Sequence, residues 1–260
     1  MKVVFLKCGL GNQIFQYIFY RYLSLKGHKT YVYIVDSLIN EHYGFELDKV
    51  IKNLKPIKSN IFIDYFIRIF LRLGGKTNQN YEGNEKSIAF DGFYFDKKYF
   101  SFVKERECIE LNYDNLSDKN LNFIEEKSDK ELVAIHIRQG DYANNPNYMG
   151  ICTPQYYDEA ISIVKRNLKN PYFLFFSDNP SFVRQNFNLE NGCVVDWNQG
   201  NNSYMDFLLM GKCKAYIIAN STFSYWAARL NENPLLVIYP KKWWNFDAKI
   251  DIFPNEWIGL

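Results

Sequence analysis

The stretch HIRQGDY places His136, Arg138 and Asp141 within six positions of one another, directly after the apolar run Leu132 to Ile137. A guanidinium offers a planar fork of donors suited to phosphate oxygens. An imidazole can donate to or accept from a base edge, and a carboxylate can pair with a cation or take a proton. A surface ion pair and a satisfied core histidine are the bland alternatives. Three such groups at one strand end favour a binding or catalytic role.

Three more stretches carry chemistry of a related kind. CGLGNQ (residues 8–13) follows an apolar run and opens a helical one. Its glycines would let a backbone approach a ligand, and free N–H groups at a helix start favour an anion. An ordinary tight turn explains it equally well, because Ile14 stands where G-x-G-x-x-G needs its third glycine. FFSDN (175–179) ends an apolar run in Ser177 and Asp178. Asp178 could accept paired hydrogen bonds from a guanine or ribose edge, or cap a helix that starts at Pro180. ANSTFSYWAARL (219–230) brackets a helix start with Ser221, Thr222 and Ser224. Capping accounts for some of these hydroxyls; their density points to a diphosphate at the helix end. The chain has no Asp-x-Asp, no His-x-x-x-His and no metal-spaced Cys or His set. A reaction expelling a nucleoside diphosphate must stabilise charge on the leaving oxygen, and without a carboxylate-held metal that task falls to arginine and helix termini.

These residues need strand ends to position them. Lys2 to Lys7 reads as a strand, Gln13 to Lys26 as a helix ended by Gly27, and Tyr31 to Val35 as a second strand. Residues 36 to 125 are patchier, with GGKTNQN (74–80) and NYDNLSDKN (112–120) as loop or turn punctuation. From Leu132 onward strands and helices alternate. Strands are expected over 132–137, 172–176, 193–195, 215–219 and 235–239, and helices over 154–168, 204–211 and 222–230. Such alternation predicts parallel sheets wrapped by helices, hence two α/β domains, 1–127 and 128–260. In such sheets ligands bind at the carboxyl ends of strands, where all four stretches fall.

Bulk properties narrow the function class. The 260 residues carry a net charge of +2, from 31 basic and 29 acidic side chains, which gives no general attraction to nucleic acid. Five widely spaced cysteines without a C-x-x-C pair imply reduced thiols and a cytosolic setting. No signal-peptide core and no apolar run of spanning length is present. IFIDYFIRIFLRL (61–73) has one thin polar stripe of Asp64, Arg68 and Arg72. A helix packed between layers of the protein is expected there, and a peripheral membrane contact stays open.

Taken in order, the four stretches resemble the α-1,2-fucosyltransferases of glycosyltransferase family 11. The G-L-G-N-Q-x-F-Q-Y run is matched at Gly9 to Tyr17, and the H-I-R-R-G-D-Y box at 136 to 142 except for Gln139. FDGFYFDKKYF (90–100), TPQYYDEAI (153–161), FFSDN and MDFLLMGKCKAYIIANSTFSYWAARL (205–230) extend the likeness over nearly the whole chain. The resemblance implies a two-domain GT-B fold and metal-independent, inverting transfer of L-fucose from GDP-β-L-fucose to the 2-hydroxyl of a galactoside. The donor would lie in the C-terminal domain, with no cofactor beyond it, and the setting would be surface-glycan synthesis at the cytoplasmic face of a membrane. It maps the diphosphate contact to Arg138, the guanine contacts to His136 and Asp178, and the phosphate border to Ser221, Thr222, Phe223 and Ser224. Gly11 and Asn12 would contribute from the N-terminal, acceptor-side domain. Gln139 removes a charge if the family's second arginine touches phosphate. No general base is evident, and Asp141 is the nearest acidic candidate.

Two rivals remain. Strand, glycine turn, helix and a strand ending near Asp36 copy the order of a dinucleotide-dependent oxidoreductase, which leaves HIRQGDY unexplained. A non-catalytic carbohydrate-binding relative would bind donor or glycan without turnover.

Overall fold

A computed structural model of the chain describes residues 1–59, 61–79, 86–140, 142–248 and 250–260. Two compact units emerge, Met1–Glu110 and Leu111–Leu260. The boundary expected at 127/128 is thus displaced. Residues 112–120, expected as loop or turn, contain a 3₁₀ turn at Tyr113–Asn115 and also, against expectation, the start of a helix over Asp118–Glu126. That helix belongs to the second unit because the fully buried Asn120 exchanges hydrogen bonds with Asn198 (2.9 and 3.0 Å) and accepts from Trp197 Nε1 (2.9 Å). Buried amides of this kind must be paired, so the contact fixes the helix in place.

The first unit runs β1 (Lys2–Leu6), α1 (Leu10–Leu25), β2 (Thr30–Ile34), α2 (Asp36–Asn40), α3 (Leu47–Val50), α4 (Ile61–Arg72), β3 (Thr77–Asn78), β4 (Ala89–Phe90) and α5 (Lys97–Lys104). Its sheet has the order β2-β1-β4-β3, with every pair parallel. All five residues of β1 are buried, as expected of a strand covered on both faces. The aromatic wealth of the chain gathers beside α1, where Phe19 stacks on Tyr94 (3.6 Å) and Tyr22 meets Tyr99 edge-on (4.9 Å). Helix α4 departs from expectation. Only Ile63 and Ile67 are buried, against Val3, Phe5 and Ala89 of the sheet, so the helix packs by one stripe rather than between layers.

Between β1 and α1 the chain also differs from the sequence reading. Helix α1 begins at Leu10, three residues early, so Gly11 lies inside its first turn. The left-handed backbone falls on Cys8 (φ 65°), not on a glycine. Two glutamines hold this turn. Buried Gln13 donates from Nε2 to Cys8 O and Gly44 O (2.9 Å each) and accepts from Glu46 N–H (3.1 Å), while Gln16 Oε1 accepts from Lys7 N–H (2.8 Å).

Glu46 is 3% exposed, its nearest cation Lys49 stands 3.8 Å away, and burial pushes its carboxyl up to about 7. Between the ordinary carboxylate pKa and 7 the unfolded chain releases this proton while the folded chain keeps it, so stability falls as pH rises through that window. Glu46→Gln is therefore expected to gain up to about 3 kcal/mol over the wild type at pH 8 and little at pH 4. Urea unfolding midpoints at the two pH values measure it; an equal effect at both would contradict the assignment.

The second unit contains α6 (Asp118–Glu126), β5 (Glu131–Ile137), α7 (Pro154–Asn167), β6 (Pro171–Ser177), α8 (Pro180–Asn186), β7 (Gly192–Val195), α9 (Tyr204–Gly211), β8 (Ala215–Ile217), α10 (Thr222–Arg229), β9 (Leu236–Tyr239) and β10 (Ile258–Gly259). The sheet is again parallel, in the order β10-β9-β8-β5-β6-β7. Val133, Ile135 and Ile137 of β5 face a core shared with α7 and α8. The alternate residue His136 faces the other layer, where α10 lies. The chain enters the sheet at its centre with β5, winds outward through β6 and β7, then returns to β8 on the far side of β5. Winding therefore reverses between β5 and β8, the position where doubly wound sheets open a crevice at their carboxyl ends. Among the described residues no helix is long and apolar enough to cross a membrane. All five cysteines are free thiols.

Candidate functional site

The reversal between β5 and β8 determines which side chains meet. His136 is the penultimate residue of β5, and Ser224 lies in the first turn of α10, which follows β8. Their side chains join at 2.8 Å between Nδ1 and Oγ. The Ser224 hydroxyl also lies 3.4 Å from Ser221 O, the carbonyl of the residue that caps the helix. His136 is 6% exposed. Burial first, and the Arg138 guanidinium second, push its pKa down to about 4 against a smaller opposing pull from Asp178, so the ring is neutral at pH 7. Ser221 caps α10, accepting from Phe223 N–H (3.4 Å), and the Phe223 ring lies 5.9 Å from that of His136.

Arg138 follows the end of β5 and is held from two directions. Asp178, just beyond β6, approaches Nη1 at 3.2 Å. The same carboxylate accepts from Gln139 N–H at Oδ1 (2.9 Å) and from Gly140 N–H at Oδ2 (3.1 Å). On the other side the Tyr142 ring lies 5.5 Å from the guanidinium, within cation–π range. Tyr142 stacks on Tyr148 (4.6 Å) and donates from its hydroxyl to Asn220 O (3.3 Å), in the connection that leads to α10. A Cβ at Gly140 would stand 2.7 Å from Asp178 Oδ2, so any larger residue there would oblige the carboxylate to shift.

The two readings of FFSDN now separate. The cap of α8 is Asn179, which accepts from Phe182 N–H (3.1 Å), with Pro180 at the first helical position. Asp178 is thereby left to turn back on the β5 loop, and its side chain keeps 23% exposure.

The structure thus brings together His136, Arg138, Asp178, Ser221, Phe223 and Ser224, with Thr222 half-buried beside them. Gly11 and Asn12 lie at the start of α1 in the first unit, Gly11 buried and Asn12 half-buried. Asp141 lies outside the described residues. Tyr142, Gly140 and Asn220 went unassigned from sequence; the first two were inside the HIRQGDY box, but a stack on Tyr148 and a close approach to Asp178 are long-range facts.

Electrostatically the site combines a guanidinium paired with the Asp178 carboxylate, a neutral imidazole and the amino end of a helix, where an arginine fork and free N–H groups can receive an anion. Among the described residues no group of three or more His, Cys, Asp or Glu is placed to hold a metal ion.

Comparison with known proteins bears on the family and the fold. The model of glycosyl transferase family 11 matches residues 1–260. An α-1,2-colitosyltransferase of Escherichia coli is 30% identical over 97% of this chain and 96% of its own length. A galactoside α-(1,2)-fucosyltransferase 2 of Rattus norvegicus is 31% identical over 50% of this chain and 39% of its own. A crystal structure of NodZ α-1,6-fucosyltransferase soaked with GDP-fucose shares the fold, with a TM-score of 0.56 at 13% identity, covering 88% of this chain and 91% of that one. The doubly wound units are those of the GT-B type. With the family match running from the first residue to the last, the chain belongs to glycosyl transferase family 11.

Proposed function

We propose that the protein transfers L-fucose from GDP-β-L-fucose to the 2-hydroxyl of a galactoside, with inversion and without a metal, in surface-glycan synthesis. The observation that carries this reading is the convergence of Arg138 and the amino end of α10 at the sheet's reversal. In the transfer, the acceptor oxygen bonds to the sugar's C1 as the bond from C1 to the phosphate oxygen breaks, and its electron pair leaves on GDP. The guanidinium and the helix end stabilise that charge. Neutral His136 and Asp178 are assigned to the nucleotide, and Ser221, Thr222, Phe223 and Ser224 border its phosphates. The first unit is assigned to the acceptor, with Gly11 as a candidate donor contact and Asn12 as a candidate catalytic residue at the reacting sugar or diphosphate. A base must reach the acceptor hydroxyl directly or through one water, and Asp141 is the nearest acidic candidate. Free thiols support a cytoplasmic location.

A second reading is favoured by the colitosyltransferase, the relative aligned over 97% of the chain: a GDP-activated colitose, which lacks one ring hydroxyl of fucose. A site that hydrogen-bonds that hydroxyl rejects the deoxy sugar strongly, whereas an apolar site discriminates little. Purified protein with a panel of β-galactosides, EDTA and each donor in turn tests both readings. An α-1,2-fucosyl product at an EDTA-insensitive rate is expected. Product from the colitose donor alone would replace the first reading by the second, and donor binding without any product would leave a carbohydrate-binding protein.

A further inference from the structure

Helix α4 presents to solvent a face that no folded core needs. Ile63 and Ile67 use its buried stripe, whereas Phe62 is 80% exposed, Tyr65 68% and Leu73, just past its end, 82%. Phe66, stacked on Phe70 at 6.2 Å, extends the same outward row. Positions 62, 66, 69 and 73 recur at alternating steps of four and three, so the apolar row runs the length of the helix. Arg68 and Arg72, both exposed, lie along one flank of this row. Contiguous exposed apolar surface of this kind marks an interaction site.

Charge selects the occupant. Within residues 51–79, Lys52, Lys55, Lys58, Arg68, Arg72 and Lys76 face one acid, Asp64, and all six are exposed. The whole chain has a net charge of only +2, so this segment holds more than all of it. A second copy of the same face would bring like charges together. An anionic lipid surface would satisfy both the aromatic row and the basic flank, the combination that seats an amphipathic helix in a bilayer interface.

We infer that α4 docks the protein on anionic membranes, lying in the headgroup plane with Phe62, Tyr65, Phe66 and Leu73 inserted and Arg68 and Arg72 on lipid phosphates. The inference stands independently of which sugar is transferred.

Flotation of the full chain with vesicles of 30% phosphatidylglycerol in phosphatidylcholine, and with pure phosphatidylcholine, tests it. Binding to the anionic vesicles is expected at least tenfold above the neutral ones, falling with salt. Both Phe62→Glu with Leu73→Glu and Arg68→Glu with Arg72→Glu are expected to reduce it at least tenfold, with circular dichroism and melting unchanged because these side chains are solvent-facing. Equal flotation of wild type and variants would overturn the inference. So would wild-type protein that ignores vesicles, including protein that sediments as a dimer dissociated by the Phe62→Glu, Leu73→Glu change, which would show a second copy covering the face.

Discussion

An Arg138→Ala enzyme is expected to transfer sugar at least about a thousandfold more slowly while melting within a few degrees of the wild type. The magnitude follows from the role proposed for the side chain. It is the cation placed at the carboxyl end of the central strand, and its fork is oriented by Asp178 on one side and by Tyr142 on the other. Preorganised charge of this kind acts most strongly on a leaving phosphate, because the site need not reorganise as charge develops. The fold loses little. Arg138 retains 31% side-chain exposure, and Asp178 keeps its two backbone donors. Arg138→Lys restores charge but not the fork, so partial recovery is expected. GDP release under saturating donor and acceptor measures the effect, and wild-type turnover in the alanine variant would remove Arg138 from the chemistry.

Asp178→Asn carries the second large effect, about a hundredfold, through a different route. The carboxylate is an acceptor on every side that contacts the protein: two backbone N–H groups and one guanidinium N–H converge on it. An amide of the same shape can accept with its oxygen but must point an NH₂ group at one of these donors. The loop bearing Gln139 and Gly140 then loses an anchor, and Arg138 loses the ionic contact with Asp178. The loss should appear chiefly in kcat/KM, accompanied by weaker GDP binding in calorimetry. An unchanged GDP affinity together with unchanged turnover would show that the carboxylate neither orients Arg138 nor meets the nucleotide.

Much of this site was legible because its residues cluster at strand ends with strong local signals. The runs Leu132 to Ile137, apolar but for His136, and Tyr172 to Phe176 read as buried strands, and both form within a residue of expectation. The cap serine before α10 is equally plain from the run of hydroxyls. What sequence could not separate were residues of one type doing different work a residue or two apart. Asn179 caps a helix while Asp178 braces a loop, and the choice depends on a partner strand's loop 38 or 39 residues distant in sequence. The displaced domain boundary has a similar cause. A segment rich in Asn, Asp and Ser looks solvated, yet Asn120 is fully buried, its polarity matched by Asn198 and Trp197. The turn before α1 likewise hid its constraint in Gln13 and Gln16 rather than in its glycines.

The uneven distribution of ionic groups has a consequence beyond the contact surface itself. Residues 51–79 carry six basic side chains against one acidic, more than the whole net charge of +2, so the remaining residues are net negative and an anionic surface attracts this segment while repelling the rest on balance. In the field of an anionic sheet such a body experiences a torque within about one Debye length, roughly 8 Å at physiological ionic strength. It would arrive already turned, aromatic row foremost, so orientation would precede adhesion and productive landings would outnumber random ones.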